Sequence, residues 1–166
     1  MEGGTLTDLD YAQQVNWMWV GYNHDSSFTM TGESDAYVWA FVNGLHGHGI
    51  TVIGPDAGLH TNHFQIGKDD GAGTGGGAMH IYGVLDVNEI WYEGTGMATL
   101  YEGGVVNIIG TQSEVTLPHL QAESGKTLNF DTTTVSGWTI ITCVPEPMSA
   151  LLMLCGLPLL RRRYSA

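Results

Sequence analysis

Met18-Trp19-Val20-Gly21, followed ten residues after Val20 by Met30 in Ser27-Phe28-Thr29-Met30-Thr31-Gly32, decides how this sequence folds. Each half is a short alternating β segment stopped by glycine, and both halves return downstream. Phe64-Gln65-Ile66-Gly67 echoes the first, and Ala78-Met79-His80-Ile81-Tyr82-Gly83 echoes the second. Ala98-Thr99-Leu100-Tyr101-Glu102-Gly103 echoes the second again, aligned on Ala78. Val20 to Ile66 is two periods of 23, with β segments at 38–42 and 50–54 between them, and Ile66 to Ile90 is 24. Ile66 to Ile81 stretches to 15 because residues 71–77 (GAGTGGG) insert about five residues.

A repeat of that length, with strands of a few residues and glycine corners, cannot bury its apolar side alone. Stacked at about 4.8 Å per strand, successive repeats hydrogen-bond to one another and share one inner column. The reading is therefore all-β: a right-handed parallel β-solenoid of about four to five short coils, followed by a hydrophobic C-terminal helix. An antiparallel β-sandwich uses the same short strands and is the alternative. Val20, Met30, Ile66, Ile81, Leu85, Val87, Ile90, Leu100, Val106 and Ile108 are expected inside. Gly21, Gly67, Gly83 and Gly103 are expected at corners where φ is positive or space is tight.

The repeats occupy residues 1–110. Residues 111–143 hold further strand-like pieces at 114–117, 127–130 and 138–142, and a short helix or loop at 120–124, which suits a terminal cap over an otherwise unpaired edge. Residues 144–166 differ in kind: Val144-Pro145-Glu146-Pro147, a 13-residue apolar run over 148–160, then Arg161-Arg162-Arg163. Pro145 and Pro147 keep the backbone extended and out of ladder pairing. The apolar run is suited to entering a bilayer, and the arginines hold its end on the cytoplasmic side. Thirteen helical residues reach about 20 Å against a hydrocarbon thickness of about 30 Å, a length that fits transient recognition better than a permanent span.

This tail resembles the PEP-CTERM sorting domain of exopolysaccharide-producing Gram-negative bacteria, on Pro145, Glu146, Pro147, the apolar run and Arg161, Arg162 and Arg163. The resemblance covers about 23 residues. It implies recognition in the inner membrane by an exosortase, cleavage near the Pro-Glu-Pro, and delivery of the body to the cell surface or matrix, where exopolysaccharide is the expected partner. The glycine-rich body is similar to the autotransporter-like repeats found ahead of such tails. Family members also begin with a secretion signal, whereas Met1-Glu2-Gly3-Gly4 has neither a basic region nor an apolar stretch after it. A truncated or misassigned start is the expected reason.

Composition narrows the function classes. Glycine, 24 of 166 residues, is about twice its usual share, and charged residues are only 13%. The net charge is −12; residues 1–145 carry 16 acids against Lys68 and Lys126 alone, a net of −14. Binding to nucleic acid or to an anionic membrane surface needs a basic footprint that this body lacks. Two cysteines, Cys143 and Cys155, make no disulfide framework.

Catalytic signatures are incomplete. Lyase chemistry on uronates needs basic groups, and the body has only Lys68 and Lys126, with no arginine before residue 161. Asp69-Asp70 is a carboxylate pair, and Gly47-His48-Gly49 resembles a polygalacturonase motif, but in that family the acidic pair comes first and a basic motif follows. His46, His48, His60 and His63 with Asp56 bring ligand-capable groups near one another without the three converging ligands of a catalytic zinc. The turn Lys68-Asp69-Asp70-Gly71 offers oxygens to calcium without a calcium repeat. The expected function is a non-catalytic structural or adhesive component of the cell surface or matrix, without metal or cofactor; a carbohydrate-active β-helix enzyme, or a sugar- or calcium-binding module, is the alternative. Trp17, Trp19, Trp39, Trp91 and Trp138, with Tyr22, Tyr82, Tyr92 and Tyr101, are expected as core or cross-strand partners, and make a sugar-stacking strip only if they face outward on successive coils.

Overall fold

A computed structural model describes residues 4–7, 13–67, 76–92, 96–111, 117–133 and 137–146. The strands are β1 (Gly4–Thr7), β2 (Gln13–Val20), β3 (Ser26–Thr31), β4 (Asp35–Asn43), β5 (Gly49–Ile53), β6 (Gly58–Ile66) and β7 (Gly77–Ile81). There follow β8 (Val84–Tyr92), β9 (Met97–Leu100), β10 (Val105–Ile109), β11 (Leu120–Ala122), β12 (Lys126–Thr133) and β13 (Trp138–Pro145).

Odd strands up to β11 form one sheet in the order β1-β3-β5-β7-β9-β11, and even strands up to β10 form the other, with β13 and then β12 added beyond β10. Every pairing between repeats is parallel. The chain thus passes from one sheet to the other and back once per coil, landing one strand further along each time: a parallel β-solenoid of about four turns, not an antiparallel sandwich. Among the described residues, antiparallel pairing is confined to β10 with β13 and β13 with β12.

The repeat is visible in the register. Val20 aligns with Asn43, and Asn43 with Ile66, each 23 residues apart. Two finer alignments do not hold. Ile66 aligns with Tyr92, while Ile90 lies beside Phe64; a two-residue shift keeps a side chain on the same face, so residue type alone does not separate the two registers. Ala98 aligns with Met79 rather than Ala78, and Leu100 with Ile81. That one-residue difference matters, because the alternative would turn Leu100 away from the core.

All ten residues expected inside belong to the core or pack against it; nine are at most 3% exposed, and Ile90 is partly buried. The rings of Phe41 and Phe64, register partners, stack 5.9 Å apart, and Phe28 closes on Phe41 from the other sheet at 6.2 Å. In β4 the core positions are Ala36 and Val38, then Phe41; in β6 they are Leu59, then Phe64 and Ile66. The alternation therefore slips once per strand, around Trp39–Ala40 and Asn62–His63. A strand that bends there wraps the core on two sides.

Corners form as the glycines demand. Gly21 has φ of 76°, and a Cβ there would lie 2.6 Å from the backbone nitrogen of Gly49 in the next coil. Gly67 and Gly103 also have positive φ, whereas a Cβ on Gly83 would collide with the carbonyl oxygens of Gly54 and Ala57.

At the C-terminal end, residues 120–122 are strand β11, paired with β9, rather than a helix or loop. Backbone pairing with the preceding coil overrides the weak helical preference of that stretch. Pro145 ends β13 in register with Lys126, so the ladder runs up to this proline instead of stopping before it. Glu146 is exposed. Pro147, the apolar run with its expected helix, and Arg161, Arg162 and Arg163 lie outside the described residues.

Candidate functional site

Buried and outer residues alternate over 17–20 in β2 and over 35–39 in β4, which places the intervening ones on the outer face of the even-strand sheet. All but Asp35 are aromatic. Trp17 is 45% exposed, Trp39 44% and Trp19 38%, joined by Tyr22 from the turn after β2 and by Tyr37. Trp17 stacks on Trp19 at 5.8 Å and leans on Trp39 at 5.3 Å. Trp19 meets Tyr22 at 5.5 Å, and Tyr22 meets His46 edge-on at 5.5 Å. At the other end Trp39 packs edge-on against His63 at 4.6 Å. The result is a continuous row running His46, Tyr22, Trp19, Trp17, Trp39, His63. Ala40 and Val42, register partners of Trp17 and Trp19, are buried without belonging to the core, as small residues under indoles would be.

Beside the row a polar column follows the coils. Tyr37, His60, Asp86 and Asn107 are successive register partners on β4, β6, β8 and β10. The Tyr37 and His60 rings stack 4.4 Å apart. His60 Nδ1 hydrogen-bonds Asp86 Oδ2 at 2.7 Å, His60 Nε2 faces Asp35 Oδ1 at 3.4 Å, and Asn107 Nδ2 donates to Asp86 Oδ1 at 2.7 Å. The hydrogen bond with Asp86 raises the His60 pKa above its ordinary value, against the opposing effect of burial and with further help from the charges of Asp86 and Asp35. The same bond lowers the pKa of Asp86, assisted by Asn107. With both ring nitrogens turned to carboxylates, His60 is suited to carrying a proton and holding three coils together, not to taking a proton from a substrate. A cavity of about 270 Å³ opens further along, lined by Asp86, Asn107, Trp138 and Ile140.

The aromatic residues singled out in the sequence divide. Trp17, Trp19, Trp39 and Tyr22 share the outer row. Tyr82 and Tyr101 stack on each other at 4.1 Å in the turns that leave the odd-strand sheet, where burial, and then the hydrogen bond with Tyr101, raises the Tyr82 pKa. Trp138 lines the cavity, and the side chains of Trp91 and Tyr92 lie outside the described residues. Tyr37, Asp86 and Asn107 were not legible as site residues, although the Tyr37–His60–Asp86 spacing of 23 and 26 follows the repeat.

His48 is exposed in a turn with its backbone N–H bonded to Asp25, so Gly47-His48-Gly49 builds a corner. Asp69 and Asp70 lie outside the described residues. Among the described residues no three His, Cys, Asp or Glu side chains are grouped to hold a metal ion, and no helix is long and apolar enough to cross a membrane.

The chain finds no match among protein-family models, among curated proteins or among solved structures.

Proposed function

We propose that this protein is an exported, non-catalytic component of the cell surface or extracellular matrix, a right-handed β-solenoid that holds exopolysaccharide on its outer aromatic row. The observation that carries the reading is the row itself. Three indoles on one sheet face and a tyrosine in the adjoining turn, each more than a third exposed, lie in contact. Exposed aromatic rings stack on the C–H faces of sugar rings while leaving the hydroxyls to water and to neighbouring polar groups. A parallel sheet fixes their spacing, so little ordering cost falls on binding.

Delivery rests on the tail. Pro145, Glu146 and Pro147, followed by the apolar run and Arg161, Arg162 and Arg163, make an exosortase substrate that passes through an inner-membrane intermediate before release at the surface. The acidity of the body suits a protein that must stay soluble outside the cell beside polymer rather than bind nucleic acid.

Affinity electrophoresis tests the binding reading. In gels containing neutral β-1,4-glucan, β-1,4-mannan or galactan, the wild-type chain is expected to be retarded by at least one polymer. Trp17→Ala and Trp39→Ala each weaken that retardation about tenfold, the worth of one good aromatic stacking contact. Unretarded migration of the wild type in every gel overturns the reading.

A further inference from the structure

The aromatic row covers only the first coils, yet the outer face of the even-strand sheet continues past it. The column Tyr37, His60, Asp86, Asn107 leads strand by strand to Ile140 on β13, beside Trp138, and ends in the cavity those last residues line. Its lining holds the Trp138 indole, the Asp86 carboxylate, whose two oxygens are held by His60 and Asn107 and keep further lone pairs, and the Asn107 amide, whose oxygen is an acceptor. One flat side chain and two polar ones on the same lining match what a single sugar ring requires: stacking for its C–H face and partners for its hydroxyls. Between the row and the cavity stand hydroxyl-compatible groups, namely the hydrogen-bonded amides of Asn62 and Asn88 and the His63–Glu89 pair.

Resting on the polysaccharide reading above, we infer that the face is one extended site in which a neutral β-1,4-linked hexose chain lies along the solenoid axis, stacked on Trp39 at one end and seated against Trp138 in the Asp86–Asn107 cavity at the other. From β4 to β13 there are four strand steps, about 19 Å at about 4.8 Å each. An extended chain of that linkage advances by about one strand step per sugar, so four to six sugars bridge the two ends. The charge of the face selects a neutral polymer. Asp35, Asp86 and Glu89 flank it, and among the described residues the one lysine or arginine is Lys126, which is paired with Glu102. A uronate or sulfated chain would meet carboxylates, with the His60 imidazole already held between Asp35 and Asp86.

Calorimetric titration of the full chain with β-1,4-glucan and β-1,4-mannan oligosaccharides of about two to six sugars reads this out. Affinity is expected to rise by at least about tenfold between the shortest and the longest, once both ends are engaged. Trp138→Ala and, as a second probe that keeps the indole, Asn107→Ala remove that rise while leaving the affinity for the shortest oligosaccharides within about twofold; Trp39→Ala weakens all lengths. Thermal melts of each variant establish that it is folded. Should both cavity variants bind the longest oligosaccharide as the wild type does, the extended site is wrong and the aromatic row alone binds. Tighter binding of galacturonate oligomers than of neutral ones overturns the neutral assignment. Absence of binding at every length, with wild-type dimerisation that Trp39→Ala abolishes, makes the face a self-association surface and overturns both readings.

Discussion

The Tyr37 ring lies 4.4 Å from the His60 ring and 13° from parallel to it, one coil away, while His60 Nδ1 is 2.7 Å from Asp86 Oδ2 one coil further on. Three coils are thereby tied by side chains as well as by their backbone ladders. The charge state of the middle residue sets how strongly.

His60 keeps its proton to higher pH in the folded chain than in the unfolded one, so its contribution is complete below about pH 6.5 and is lost as pH rises through the raised folded value. Asp86, with a lowered pKa, contributes fully above about pH 4, and that contribution disappears as pH falls through its folded value. The difference in melting temperature between wild type and Asp86→Asn should be widest between about pH 4 and 6.5 and shrink by pH 8. The His60 ring-proton titration followed by NMR should move to lower pH in Asp86→Asn. An unmoved midpoint contradicts the pairing.

Trp39 and Phe41 are two residues apart and stand on opposite faces. Phe41→Ala empties a fully buried, stacked position and should cost about 3–5 kcal/mol. Trp39→Ala, on the exposed face, should cost about 1 kcal/mol or less. Urea unfolding of both variants compares the two costs; equal costs would mean the face assignment in β4 is wrong.

Asn43 is a fully buried polar corner. It donates to Ala78 O at 3.0 Å and accepts from Thr51 Oγ1 at 3.1 Å, while a Cβ on Gly49 would run into its side-chain oxygen and lie 2.5 Å from Val20 O. Asn43→Ala should cost about 1–3 kcal/mol through the unpaired groups it leaves, and Gly49→Ala about as much through overpacking. Chemical denaturation measures both. A Gly49→Ala protein as stable as wild type would mean the coils are not in this contact.

The sorting reading makes a prediction in cells that carry an exosortase. The mature surface form should end near Pro145–Pro147 by intact mass, and replacing Arg161, Arg162 and Arg163 by alanine should leave the uncut chain behind in the inner-membrane fraction. A mature form that keeps residues 148–166 contradicts processing.

How much of this was legible beforehand depends on what each feature encodes. The solenoid was, because Val20–Gly21 and Ile66–Gly67 carry both the inward side chain and the corner in two adjacent letters, 46 residues apart. The register near Ala98 was not, since two alanines look alike while the pleat distinguishes them. β11 was missed because Leu120-Gln121-Ala122 has no strong strand preference of its own and is held by pairing with β9. In the site, the tryptophans were visible but their direction was not: outward and inward differ by one residue of phase, and the bend near Trp39 changes that phase mid-strand. Asp86 and Asn107 were invisible as a pair, because 21 residues separate groups that only stacking brings within 2.7 Å.

On the proposed function, the outer aromatic face of the coils holds neutral polysaccharide. Hydroxyl-radical footprinting read by mass spectrometry tests it most directly, with and without saturating β-1,4-glucan or β-1,4-mannan. Polymer should protect the exposed indoles of Trp17, Trp19 and Trp39 from oxidation by about threefold or more, while Tyr82 and Tyr101 oxidise as before. Unchanged oxidation of the three indoles at saturating polymer, or protection confined to Tyr82 and Tyr101, contradicts the account.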